Sequence, residues 1–181
     1  MFREHFKLMH FALNKELIEI YISIGLRSLA FSMISIFIPL YLLNELNYSF
    51  IEVILFFMVF YFFSLLFVPL SGKIADLIGF KKCMLLSSPF LILYFLLLNF
   101  LNPNYNIFLL LIAGIGGISS SLFWIPFHVE FTRSSDKLYR GEEIGILYSF
   151  SLILGILGPL VGGVILTFFN FNLLFILVSI L

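Results

Sequence analysis

Long apolar segments separated by short polar ones make up most of the chain. Each apolar run approaches or exceeds the ~20 residues that an α-helix needs to cross a ~30 Å hydrocarbon layer. The linkers between the runs are short and polar, at residues 44–50, 72–82, 102–106 and 132–143. Consecutive helices are therefore expected to be antiparallel. The pattern predicts five complete membrane spans, at residues 17–43, 51–71, 83–101, 107–131 and 144–169.

A sixth apolar run begins near Phe171 and reaches Leu181. At ~1.5 Å per residue this run is too short to cross a bilayer, so we expect the chain to be truncated within its sixth helix. The predicted fold class is all-α, a polytopic transmembrane bundle over residues 17–181. The preceding residues, 1–16, fit either a short amphipathic helix on the membrane surface or a loose cytoplasmic extension.

Composition agrees with a membrane protein and excludes several other classes. Hydrophobic residues make up 62% of the chain and charged residues 11%, which a soluble domain with a polar surface could hardly reach. The formal net charge is zero, so a nucleic-acid partner is not expected. The single cysteine, Cys83, excludes an internal disulfide framework and a multi-cysteine metal cluster. We predict no cofactor and no metal site, and a lipid bilayer and a small-molecule substrate as partners.

The basic residues have a clear distribution along the chain. Of the ten, Arg27 lies within a span, and the others all fall in alternate polar segments, which places them on one side of the membrane. The positive-inside rule then puts the N-terminus in the cytoplasm, and we expect the plasma membrane as the location. The nine residues on this side are Arg3, Lys7, Lys15, Lys73, Lys81, Lys82, Arg133, Lys137 and Arg140.

The segment after the second span carries the most specific motif. We expect residues 72–82 to form a tight turn, with a glycine near each end, one acid and a basic pair. The spacing resembles the cytoplasmic signature of the major facilitator superfamily, Gly-x-x-x-Asp-Arg/Lys-x-Gly-x-Arg/Lys-Arg/Lys, although Leu77 replaces a basic residue of that pattern. The matching residues are Gly72, Asp76, Gly79, Lys81 and Lys82.

The resemblance implies a fold and a role for this motif. Members of the family have two six-helix halves, so this chain is similar to an N-terminal half whose partner is the C-terminal half of the same transporter. The motif would act as a cytoplasmic gate, with Asp76 near a helix N-terminus of the second half. Glu130 and Arg140 resemble a second family feature and could complete the same ionic cluster. Alternatively, Glu130 and His128 only mark the membrane interface.

The fifth span contains a glycine-rich motif that resembles the Gly-Pro-x-x-Gly-Gly core found in drug/proton antiporters of the family. Glycines four residues apart let helix backbones approach closely, and the fourth span offers small residues for the same purpose, among them Gly117 and Ser121. Tight helix packing and a role in the direction of transport are both open. The residues of the motif are Gly155, Gly158, Pro159, Gly162 and Gly163.

Arg27 is the candidate for substrate or coupling chemistry. It lies about ten residues into the first span, where a guanidinium costs ~2.5–3.5 kcal/mol on insertion scales, so it should face a polar cavity or an acid. Its partner could be an anionic substrate group, a carboxylate of the second half, or Glu19; snorkelling without a role is the alternative. Tyr148 is a second candidate, and several hydroxyls could line the same cavity, namely Ser23, Ser28, Ser32, Ser35 and Ser149.

Three functions are compatible with these features to different degrees. The favoured one is secondary active transport of a small solute by alternating access, as an exporter or antiporter. A transporter-like receptor or scaffold without transport activity is the alternative. A polytopic membrane enzyme is disfavoured, because the three histidines are scattered and no acids are paired, so we predict no catalytic residues. The substrate, the direction of transport, the coupling ion and the oligomeric state stay open.

Overall fold

The computed structural model describes residues 15–101 and 106–180. Within these ranges the chain is helical and contains no strand, which confirms the predicted all-α class. Most of the N-terminal segment 1–16 and of linker 102–106 lies outside the described residues, so the prediction of an amphipathic helix there stays a prediction.

Six apolar helical segments follow one another within residues 15–101 and 106–180. The first combines α1, a one-turn helix α2 and a π-helical turn at Tyr41–Glu45. Five segments are long and apolar enough to cross a membrane, which confirms five spans, and α7 is a shorter apolar helix. The helices are α1 (Lys15–Ser35), α2 (Phe37–Leu40), α3 (Phe50–Ile78), α4 (Phe80–Asn99), α5 (Asn106–Ser134), α6 (Arg140–Phe168) and α7 (Phe171–Ile180).

The structure corrects the prediction of a turn over residues 72–82. α3 continues through Ile78 and α4 begins at Phe80, so Gly79 alone joins them and Gly72 lies inside a helix. Gly79 has φ +96° and ψ 148°, a conformation that side chains other than glycine rarely adopt. Sequence reasoning placed the turn too broadly because polar residues at a membrane surface can remain helical. The motif therefore spans two helix ends.

The ends of several helices are defined by local features. Ser49 and Glu52 form a capping box at the start of α3, with the Ser49 backbone N–H donating to Glu52 Oε2 over 2.7 Å. The linker 132–143 is also shorter than predicted, because α5 ends at Ser134 and α6 begins at Arg140.

α5 packs closely against both α3 and α4, and α6 packs against α1. At the α3–α5 interface a side chain at Gly117 would meet the Phe60 and Ser64 backbone. The Ser71 hydroxyl donates to the Ser121 carbonyl over 2.9 Å, and the Ser119 hydroxyl donates to the Ser87 carbonyl over 2.9 Å. These small-residue contacts bring backbones together where lipid offers no hydrophobic drive for association.

The outward faces of α3 and α6 carry large exposed apolar side chains, including Phe62, Leu65, Ile156 and Leu160. Their spans have few buried residues, whereas the α5 span is more than half buried. Such apolar surface needs lipid or another membrane helix to cover it. α5 is thus the central helix of the described bundle.

Candidate functional site

Lys81 joins three helices at one end of the bundle. Its Nζ atom lies 3.7 Å from Glu19 Oε2 on α1 and 3.9 Å from Glu130 Oε1 on α5. The Glu130 side chain is only 14% exposed, whereas Glu19 and Lys81 are about half exposed. We call this set, Glu19, Lys81 and Glu130, the Lys81 bridge. It places the start of α1, the start of α4 and the last turns of α5 at the same end.

The other residues of the glycine–aspartate motif lie beside the bridge and outside it. Asp76 and Lys82 are exposed, at the end of α3 and the start of α4. Leu77 is 85% exposed, at the position where the family signature has a basic residue. A Cβ atom added at Gly72 or at Gly79 would meet nothing within 4 Å. Among the motif residues, Lys81 lies within ion-pair distance of Glu130.

Arg140 does not lie on Glu130, although the sequence analysis grouped the two in one cluster. Its Nε donates to Ser135 Oγ over 2.8 Å and its Nη2 donates to the Thr132 carbonyl over 3.0 Å. Thr132 lies in the last turn of α5, where carbonyls lack intrahelical partners and cations are favourable. Arg140 therefore caps the C-terminal end of α5 through these hydrogen bonds.

Sequence reasoning missed Glu143, which is 5% exposed at the start of α6. Its Oε2 accepts from the Asp136 backbone N–H over 3.1 Å, and its carbonyl accepts from the Tyr21 hydroxyl over 3.2 Å. The only signal in the sequence was an acid in the first turn of a helix, which does not by itself predict burial. The contacts join α1, the 135–139 connection and α6.

The glycine-rich motif of α6 divides into contacting and open positions. A side chain at Gly158 would meet Ser32 and the Met33 backbone, and one at Gly162 would meet the Met33 carbonyl. Gly163 approaches Phe37 more loosely, Pro159 is half-buried, and Gly155 has open space around it. Two glycines four residues apart therefore allow α6 to pack closely against α1.

A cavity of about 480 Å³ lies between α1, α4, α5 and α7. Its lining includes Glu19 and Lys81, the two more exposed members of the Lys81 bridge, and the less exposed Arg27. Of the hydroxyls proposed to share a cavity with Arg27, Ser23 lines this one. Tyr148, Ser28, Ser32, Ser35 and Ser149 do not line it, and Tyr148 is 56% exposed on α6. The structure thus separates the two substrate candidates, Arg27 and Tyr148.

Aromatic rings surround the Arg27 guanidinium. Its Cζ atom lies 3.7 Å from the Phe123 ring centroid and 5.0 Å from the Phe31 ring centroid. Its Nε and Nη2 atoms are shielded from solvent and have no hydrogen-bond acceptor among the described residues. Such cation–π contacts contribute up to ~2 kcal/mol when desolvated, but they do not replace hydrogen bonds for these two donors.

The described residues contain no group of three or more side chains suited to hold a metal ion. A family model described as Major Facilitator Superfamily matches residues 20–181, nearly the whole length. No curated protein matches the chain.

Proposed function

The chain belongs to the major facilitator superfamily, and from this premise we propose that it serves secondary active transport of a small solute by alternating access. Members of this superfamily are membrane transporters of small solutes rather than enzymes. The five apolar spans make the chain an integral, multi-pass membrane protein. The substrate and the coupling ion are outside this proposal.

The observation that carries the proposal is the Lys81 bridge, two members of which line the cavity. Alternating access moves one helix repeat or bundle against another, so contacts between repeats, such as that between the third and fourth spans, must form and break. The Lys81–Glu19 and Lys81–Glu130 pairs join α4 to α1 and α5, and two of the three side chains are about half exposed. Partly exposed ion pairs contribute about 0–1 kcal/mol each, so a transport cycle can break them.

We place this end of the bundle in the cytoplasm, in the plasma membrane, because the basic segments lie there. The cavity lined by Lys81 and Glu19 would then lie toward the cytoplasm. The C-terminal half of the transporter would cover apolar surface such as that of α3 and α6, and exposed Asp76 at the end of α3 is available to a helix N-terminus of that half. Gly158 and Gly162 would keep α6 fixed on α1 while the halves move.

Alternating access is tested on the complete protein by labelling a single cysteine in the cavity. Ser88 lines the cavity, so Ser88→Cys is introduced together with Cys83→Ala, which removes the one native thiol. A membrane-impermeant maleimide is added to either side of sealed vesicles. Transport by this mechanism predicts labelling from both sides, at rates that respond in opposite directions to Lys81→Gln.

Lys81→Gln should raise labelling from the cytoplasmic side several-fold and lower it from the other side. Lys82→Gln is the matched control, since Lys82 is exposed and outside the bridge. Labelling from one side only, unchanged by Lys81→Gln, would contradict alternating access. It would favour a receptor or scaffold instead.

A further inference from the structure

We propose that Arg27 binds a carboxylate in the cavity between α1, α4, α5 and α7, through the paired N–H groups on one edge of its guanidinium. This inference rests on the proposed function where the carboxylate belongs to a transported solute. Membership of the superfamily does not specify the substrate, and this inference names carboxylates as its chemical class.

The two donors without an acceptor are chemically a pair. Nε–H and one N–H of Nη2 point the same way from the planar guanidinium, and this edge is the one that a carboxylate grips with two parallel hydrogen bonds. Both atoms are shielded from solvent, and neither has an acceptor among the described residues. Buried donors without acceptors cost free energy, so a state in which a carboxylate accepts from both is favoured.

Two aromatic rings lie beside the Arg27 cation, and its Nε and Nη2 atoms are covered in this structure. Phe123 and Phe31 lie 3.7 and 5.0 Å from the Cζ atom and interact with the cation through their faces. Because they also exclude water, an ion pair formed beside them is stronger than one in solvent. Arg27 already lines the cavity, so rotation about its terminal torsions turns the covered edge toward a ligand.

The cavity suits a small monocarboxylate with an apolar body. Its volume of about 480 Å³ falls within the ~300–1,000 Å³ of small-molecule sites. Its walls are mainly apolar, with serines at Ser23, Ser88 and Ser179, and the charges of Lys81 and Glu19, which also line it, offset each other. Arg27 supplies one deep positive charge, which balances one carboxylate.

The carboxylate that binds Arg27 comes from one of two sources, which share the same chemistry. It belongs either to a free solute or to an acidic side chain of the same protein outside the described residues. The first experiment is calorimetric titration of the complete protein in detergent with benzoate, using benzamide as the neutral isostere. A free solute predicts that benzoate binds at least ten-fold more tightly than benzamide.

Substitutions then test whether the preference for benzoate over benzamide depends on Arg27. Arg27→Gln should abolish it, and Arg27→Lys should weaken it at least several-fold, because an ammonium keeps the charge but lacks the planar pair of donors. Arg133→Gln should leave it unchanged. It is the matched control, since Arg133 also lies over a ring, 4.2 Å from the Phe80 centroid, and does not line the cavity.

An internal carboxylate predicts a different result. Benzoate then fails to bind, and Arg27→Gln lowers the melting temperature more than Arg133→Gln does, because the acid loses its partner. Replacing that acid by its amide in the Arg27→Gln background restores the melting temperature. Absence of a benzoate preference together with absence of any rescuing amide overturns the proposal. Neither measurement needs flux, so failure here is distinct from failure of alternating access.

Discussion

The Lys81 ammonium lies 3.9 Å from the Glu130 carboxylate, which joins the first turn of α4 to the last turns of α5. The same ammonium lies 3.7 Å from Glu19 on α1. Leu77, at the position of a basic residue in the family signature, is 85% exposed. In this chain the second basic position of the signature, Lys81, therefore makes the contact that links these three helices.

The Lys81–Glu130 pair should show a small, salt-sensitive coupling. We expect a double-mutant cycle of Lys81→Ala and Glu130→Ala to give about 0.2–1 kcal/mol in the free energy of unfolding, because both side chains retain some solvent contact. The measurement is denaturant unfolding of the complete protein in mixed micelles. Coupling should fall in about 1 M salt. The parallel cycle of Lys82→Ala with Glu130→Ala should be additive; equal coupling in both cycles would rule out a specific bridge.

The two motif glycines, Gly72 and Gly79, should differ in their tolerance of alanine. Gly79→Ala should destabilise the protein by about 1–3 kcal/mol, because φ +96° with ψ 148° is strained for any residue with a side chain. Gly72→Ala should be neutral or stabilise by up to about 1 kcal/mol, since Gly72 is helical with open space around it. Unfolding in mixed micelles compares the two variants. Equal effects would show that Gly79 does not need its positive φ.

Gly162 should be intolerant of a large side chain. Gly162→Leu places atoms on the Met33 carbonyl of α1, so it should destabilise the protein by at least about 1–3 kcal/mol. Gly155→Leu is the matched control on the same helix, since nothing lies within 4 Å of a Cβ atom added there. Thermal unfolding of the two variants in detergent gives the comparison. A similar melting temperature for both would contradict the α1–α6 contact.

Arg140 should stabilise the C-terminal end of α5. Arg140→Ala removes the hydrogen bonds to Ser135 Oγ and to the Thr132 carbonyl, at a cost of about 1 kcal/mol for this partly exposed site. We expect faster amide hydrogen exchange in residues 130–135, measured by mass spectrometry. Lys137→Ala, an exposed cation in the same connection, should leave that exchange unchanged. Faster exchange in both variants would indicate a general charge effect.

Span number and helical class were predictable from the sequence, because a bilayer imposes a local requirement on each segment. About 20 apolar residues must satisfy their own backbone hydrogen bonds, and only a helix does this within one segment. Helix ends were less predictable. Residues 72–78, which include Lys73 and Asp76, continue α3, since the membrane surface supports either a helix or a turn and a positive φ at Gly79 decides between them.

The sequence by itself determined which residues could matter, and the tertiary structure decided which of them meet. Arg27 stood out from its depth alone, and Gly158 and Gly162 from their spacing. That Arg27 lies over Phe123, that Lys81 meets Glu130 while Arg140 closes α5, and that Glu143 is buried were decided by the fold. The physical reason is that a bilayer acts on one helix at a time. Contacts between helices depend on rotation and register, which packing of the whole bundle sets.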